Sequence, residues 1–360
     1  MVVPDELVTT MHTLRAQAGK REESRDAYEL LTTAKHQLRD WIGQQLSHLD
    51  ANGDAAVLEH DLNEALKGLM CSSGNSCPQD TWLGYVEQVR LKRLGLDLVV
   101  ETSLGIQCGF DDSAYLFSWR DGKWARRWES EQNDYSTEKY KPQNLSAVRV
   151  GGSDGGDGQL LLTLGTQPWC SSNWRGIYVR LWRLRTGIAP QLILDDSDYG
   201  FVADEVEGSV GQGTALVEYS VISLDKGVLI RRTPRAFQIS GDRVERVAPF
   251  ALSPRGFVDE WIARDWKEAA GWSGRTLATV HRELHSDSPN GEFVRDTLHC
   301  AKTPDLWQVG VDMGGERIYF LVRWKPPYRF QMVGAGPRAS PGCTEKDPEA
   351  DAPRTFFPPR

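Results

Sequence analysis

Four times along this chain, two short runs of β-branched and aromatic residues flank a tight turn. Tyr115–Trp119 and Trp124–Trp128 flank Arg120-Asp121-Gly122-Lys123, and a looser copy runs from Tyr178 to Leu194. Arg235–Ile239 and Arg243–Val247 flank Ser240-Gly241-Asp242, and Arg317–Trp324 and Tyr328–Val333 flank Lys325-Pro326-Pro327. Residues of this kind on both sides of a Gly, Asp or Pro turn are the pattern of a β-hairpin. Further apolar runs precede the hairpins: Leu96–Thr102 and Gly105–Gly109, Leu145–Val150 and Gln159–Leu164, Thr214–Ile222 and Val228–Arg232, and Trp307–Asp312. The hairpins begin at residues 115, 178, 235 and 317, so the intervals are 63, 57 and 82. Sets of four strands at this spacing predict repeated, propeller-like antiparallel sheets, with a two-sheet β-sandwich built from the same hairpins as the alternative.

The N-terminal quarter has a different texture. Tyr28, Leu31, Ala34, Leu38, Trp41, Ile42 and Leu46 recur mostly at three- and four-residue steps, which predicts one amphipathic helix over Arg21–Leu49. Val57, Leu58, Leu62, Ala65, Leu66 and Leu69 predict a second over Ala55–Leu69, and Asp80 is placed to cap a short third over Thr81–Leu91. A fourth helical stretch is expected at Arg255–Ala270, introduced by Ser253 as cap and Pro254 at the first helical position. The expected organisation is a helical module over 1–94, a β-rich domain over 95–336 with a helical insertion near 253–271, and an extended tail over 337–360.

The chain has 360 residues, 40% hydrophobic and 26% charged, enough apolar content for a large core. A net charge of −8 and the lack of a basic run interleaved with aromatics argue against a nucleic-acid partner. No apolar stretch is long enough for a membrane span, and no apolar run after Met1 predicts a signal peptide, although Met1 is compatible with a start after a removed leader. Six cysteines allow three disulfides: Cys71, Cys77, Cys108, Cys170, Cys300 and Cys343. Cys71–Cys77 is the expected local bridge and Cys108–Cys170 a second pairing, which together would place the chain in an oxidising, extracytoplasmic compartment; buried free thiols are the competing reading.

The sharpest local motif is Asp50-Ala-Asn52-Gly-Asp54-Ala-Ala-Val57-Leu-Glu-His-Asp61. It resembles the calcium loop of EF-hand and dockerin modules, with oxygen-bearing side chains at positions one, three and five and an acid at position twelve. The resemblance implies calcium on Asp50, Asn52, Asp54 and Asp61. It covers about a dozen residues. The usual glycine is replaced by Ala55, and there is no second loop. The competing reading makes Asp54 or Asn52 a cap of the next helix. No other cofactor is indicated.

Three further groups carry chemistry in principle. Glu129, Glu131 and Asp134 concentrate carboxylates just past the first hairpin; on a strand, Glu129 and Glu131 share a face at a separation compatible with glycoside hydrolysis. Trp169, Asn173 and Trp174 form a polar loop between aromatics that would wall a ligand pocket. His281, Glu283 and His285 place two imidazoles four residues apart, a spacing for zinc if helical, although Thr279 and Val280 oppose a helix and a solvated polar face is the simpler reading. Gly151-Gly-Ser153-Asp154-Gly155 matches a nucleophile elbow in letters only, since a helix should follow the Ser and more Gly and Asp follow instead. The function expected from the whole is binding or structural interaction in an extracytoplasmic setting, with a protein or glycan as ligand. The competing function is a hydrolase of glycans or other polar substrates acting through the carboxylate cluster.

Overall fold

The computed structural model describes residues 1–17, 25–70, 83–106, 109–133, 143–151, 158–167, 174–201, 206–211, 213–222, 230–247, 251, 253–287, 293–313, 315–325 and 329–346. The fold is mostly β and antiparallel, with helices at the N-terminus. The chain divides into two compact units: Met1–Asp198 with Val210–Gln212, and Tyr199–Ser209 with Gly213–Arg360.

In the first unit, α1 (Asp5–Gln17), α2 (Arg25–Leu46) and α3 (Ala55–Leu66) precede a four-stranded meander of β1 (Val86–Leu94), β2 (Asp97–Ile106), β3 (Gly109–Arg120) and β4 (Lys123–Ser130). The region read as a helical module does not form its own core. Leu31, Leu38, Trp41 and Ile42 of α2 and Leu58, Leu62 and Leu66 of α3 share one cluster with Val86, Val89, Leu98, Val100, Tyr115 and Phe117 of the strands. Where the sequence predicts a short helix over Thr81–Leu91, the chain forms β1 from Val86 onward. Val86, Val89 and Leu91 are buried, and β1 pairs with β2 along its length, where a short isolated helix would be only marginally stable.

The β3–β4 turn is Asp121-Gly122, with φ of 50° and 75°. Two successive positive φ values match the twist of the flanking strands, which is why Asp-Gly serves here. A second meander follows: β5 (Asn144–Gly151), β6 (Gln159–Thr166), β7 (Trp174–Leu184) and β8 (Gln191–Phe201). Strand alternation gives the first sheet two buried faces. The odd residues Tyr115 and Phe117 of β3 face the helices. The even residues Ala114 and Leu116 pack with Val99, Trp128, Val148, Leu161 and Leu184 between the two sheets.

The second unit contains β10 (Thr214–Ile222), β11 (Ile230–Ser240) and β12 (Arg243–Val247), with β9 (Glu207–Gly211) also pairing with β10. Gly241, with φ of 56°, makes the β11–β12 turn. Next come α4 (Pro254–Ala263), α5 (Trp266–Ala269) and α6 (Ala278–Asp287), and then β13 (Phe293–Cys300), β14 (Leu306–Met313), β15 (Glu316–Lys325), β16 (Arg329–Gly336) and β17 (Cys343–Lys346). Phe257, Val258, Trp261 and Ile262 of α4 fill a core with Val309, Val311, Phe320, Val322, Phe330 and Met332.

The repeated four-strand meander is thus present, while a ring of separate blades is not found among the described residues. β8 pairs with β7, and within the second unit its last residue, Phe201, pairs with Ser220 of β10. The expected helix over Arg255–Ala270 is interrupted. Ser253 accepts from the Gly256 N–H and Pro254 opens α4, but Arg264 is extended, with φ −87° and ψ 151°. In the tail, Cys343 is disulfide-bonded to Cys300, which ties β17 to β13. Cys71, Cys77, Cys108 and Cys170 lie outside the described residues. No helix among the described residues is long and apolar enough to cross a membrane.

Candidate functional site

The densest polar chemistry of the first unit lies on both faces of β3. On the helix-facing side, Lys35 of α2 donates to Asp111 Oδ2 at 3.0 Å and to the Gln132 carbonyl, with both charged side chains fully buried. Glu131 lies on the same side. Its carboxylate is 1% exposed and accepts from the Tyr115 hydroxyl and from Arg39 Nη1 at 3.1 Å, with His36 Nε2 at 3.3 Å. Glu129 is on this face too, 42% exposed, with Arg126 at 3.2 Å and Arg39 at 3.6 Å. Both carboxylates therefore share one face, the one covered by α2, and both reach Arg39. The Tyr115 hydroxyl is held far above its ordinary pKa by burial, and the neighbouring Glu131 carboxylate adds to this. It remains a donor.

The opposite face of β3 carries Asp112, between the two sheets. Its Oδ2 accepts from the Leu145 N–H at 2.6 Å. Gln143 ties the neighbourhood together: its N–H donates to Asp111 Oδ1 at 3.2 Å, and its side-chain amide donates to the Asp112 and Ser130 carbonyls. Burial pushes the Asp112 pKa up to about 7, against the opposing pull of the Ser103 hydroxyl and the Leu145 N–H; the nearby charges of Asp111 and Glu101 raise it further. The Tyr178 ring is buried on the same layer, with the Arg180 guanidinium 4.9 Å from its centroid. Burial raises the Tyr178 pKa well above normal, and Asp112 contributes.

Sequence reasoning does not single out Asp111, Asp112 or Lys35, yet each leaves a signal. Carboxylates are depleted in strands, and two adjacent ones in Gly109-Phe-Asp-Asp-Ser-Ala-Tyr115 break the rule. Lys35 lies four residues after Leu31, on the apolar stripe of its helix, where an unpartnered ammonium would be costly.

The Asp50–Asp61 loop has a different geometry. Asp50 Oδ1 accepts from the Asn52 N–H at 2.7 Å, an Asx turn. Asp54 caps α3, its Oδ1 accepting from the Ala56 N–H at 2.8 Å. The Arg93 guanidinium donates to the Ala51 and Gly53 carbonyls, both at 2.6 Å. A guanidinium on two loop carbonyls and two carboxylates accepting from backbone N–H groups give the loop the hydrogen bonds of a capped interhelical turn. Asp54 and Asp61 line a groove of about 310 Å³ with Met1, Gln45, His48, Leu49, Val57 and Leu58. Among the described residues, no group of three His, Cys, Asp or Glu side chains is placed to hold a metal.

In the second unit, His281 and His285 do lie on a helix, α6, with rings stacked at 5.6 Å. His281 Nε2 is 2.9 Å from the Trp261 carbonyl and His285 Nδ1 is 2.9 Å from the Ile262 carbonyl, so these nitrogens face backbone acceptors. Glu283 is exposed. Asp134, Ser153, Trp169 and Asn173 lie outside the described residues, as does the side chain of Trp174.

No family model and no curated protein matches the chain. Solved structures overlap it weakly. A complex of BT0996 with RGII shares 9% identity over 69% of this chain and 72% of its own, with a TM-score of 0.29. A glycoside hydrolase shares 9% identity over the same shares of the two chains, with a TM-score of 0.28. A glycosyl hydrolase from Bacteroides ovatus shares 8% identity over 69% of this chain and 87% of its own, with a TM-score of 0.17. Overlaps this weak assign neither fold nor chemistry to this chain.

Proposed function

We propose that this protein is a binding or structural interaction protein of an extracytoplasmic compartment, with a protein or glycan as its ligand. The observation that carries the reading is the state of Glu131. Its carboxylate is 1% exposed and occupied by Tyr115, Arg39 and His36, leaving no approach for a glycosidic oxygen or a water nucleophile. Asp112 has the raised pKa of a general acid, but it lies on the other face of β3. Two carboxylates separated by a sheet cannot flank one scissile bond. The cluster instead fastens α2 to the first sheet, and the chemistry of the molecule passes to its loops.

The ligand site of this proposal is the loop bearing Trp169, Asn173 and Trp174, where aromatic faces and an amide offer stacking and hydrogen bonds to a polar ligand. The antiparallel meanders would present such loops at their ends. The Cys300–Cys343 disulfide supports the oxidising compartment.

The test separates binding from turnover. Wild type, Glu131→Gln and Trp169→Ala are applied to a panel of immobilised polysaccharides, and released reducing ends are measured in parallel. The proposal expects no release by any variant, retained binding by Glu131→Gln, and binding weakened at least tenfold by Trp169→Ala. Release by wild type that is lost in a folded Glu131→Gln would establish the hydrolase instead.

A further inference from the structure

We propose that His281 and His285 form an acid-released latch that docks α6 onto the C-terminal end of α4. The last carbonyls of a helix have no intrahelical N–H partner and need one from elsewhere. α4 stops at Ala263 because Arg264 turns to an extended backbone. That break leaves the Trp261 and Ile262 carbonyls facing outward from the last turn, and the two histidines of α6 meet them, His281 through Nε2 and His285 through Nδ1, each at 2.9 Å. The four-residue spacing of the histidines equals the helical repeat, so both rings lie on one face. They stack with an interplanar angle of 14°.

A ring nitrogen facing a carbonyl must carry its proton. The docked state therefore selects the Nε2–H tautomer of His281 and the Nδ1–H tautomer of His285, both available to neutral rings. Protonation changes the balance at His281. The residue is 1% exposed, with its ring 4.7 Å from Trp261 and 5.2 Å from Trp266. His285 stacks on it from α6, and Asp265, between α4 and α5, lies 3.8 Å from His285 Nε2 on the exposed side. The Arg264 guanidinium is turned to Glu260, and Glu268 of α5 is turned to Arg246. Lys267, Arg282 and Glu283 are exposed.

An imidazolium at His281 would thus be buried between indoles and stacked on a second titratable ring. Burial lowers its pKa, and the neighbouring His285 adds to this, ahead of the opposing pull of the Trp261 and Arg264 backbone and of the Asp265 charge. The direction sets the sign. The docked state binds the proton less readily than the undocked one, so the latch is at full strength above about pH 6.5 and weakens as pH falls below it. Release would uncover the core positions that α6 closes through Leu284 and Val280.

The experiment is hydrogen exchange of the full chain at pH 7.5 and 5.5, corrected for intrinsic rates, on wild type, His281→Gln and His285→Asn. Each substitution keeps an N–H donor near the position of the imidazole nitrogen it replaces, but cannot titrate. In wild type, protection over 278–287 should fall at least tenfold at pH 5.5 while β14 and β15 stay protected. His281→Gln should remove most of that fall. Unchanged wild-type protection, or an equal fall in both variants, would overturn the latch. If His281→Gln does not fold, NMR titration of the His281 ring decides: a pKa below the ordinary histidine value supports the latch, and one at or above it refutes it.

Discussion

Asp112 in the first unit and Glu260 in the second are both buried carboxyl groups, at 5% and 4% exposure, yet they sit at opposite ends of the titration range. Asp112 is pushed up to about 7 and Glu260 held down to about 2. The difference lies in what surrounds each. Burial raises both. Asp112 meets a hydroxyl, one N–H and the charges of two other carboxylates. Glu260 meets Arg231 at 2.7 Å, Arg264 at 2.7 Å and Arg246 at 3.5 Å, and their field outweighs the burial. Arg231 also reaches Asp259 at 2.6 Å, and although burial works against its charge, the two acids raise its pKa. A buried acid is therefore no mark of catalysis in itself. One unit holds its acid near neutrality, and the other uses it as the centre of an ionised clasp between α4, β11 and β12.

The clasp is the place to break the comparison with the largest effect. Arg231→Met leaves two buried carboxylates without their main partner, and should destabilise the second unit by about 3–5 kcal/mol in chemical denaturation. A loss under about 1 kcal/mol would show that Arg264 and Arg246 suffice alone. Asp112→Asn tests the other side. An acid whose folded pKa is raised to about 7 loses stability as pH rises from the ordinary carboxyl range near 4 to about 7, and the full cost is present above that. The substituted amide keeps an oxygen for the Leu145 N–H without the charge, so at pH 8 the change should stabilise the first unit on the order of 2 kcal/mol and flatten its pH dependence. An unchanged pH slope would contradict this. The smallest effect belongs to the calcium-like loop. Asp54→Ala removes the cap of α3 and should cost about 1 kcal/mol, with the same loss in calcium and in chelator. A calcium-dependent difference would restore the metal reading.

These contrasts also mark where the sequence is legible. Asp121-Gly122 announces its hairpin because few residues besides glycine and Asp or Asn accept two positive φ values in a row. Ser253-Pro254 announces α4 because the cap chemistry is local. Val86, Val89 and Leu91 do not announce β1, because three apolar residues at short spacing fit a helix or a strand until β2 is alongside. The pairing of Phe201 with Ser220 is one that no local pattern encodes. For the candidate site, strand alternation already puts Glu129 and Glu131 on one face, but Arg39 and His36 lie some ninety residues earlier, and their arrival decides what Glu131 can do. The helical spacing of His281 and His285 is visible, whereas the carbonyl ends they meet exist only because α4 breaks at Arg264.

The account rests on partners, not burial, setting the fate of each buried acid. The most direct measurement is a carboxyl carbon-13 NMR titration, with Asp112 and Glu260 assigned through Asp112→Asn and Glu260→Gln. The account predicts that Asp112 titrates near pH 7 and that Glu260 stays ionised down to about pH 2. Two ordinary titrations near pH 4, or a raised value at Glu260, would contradict it.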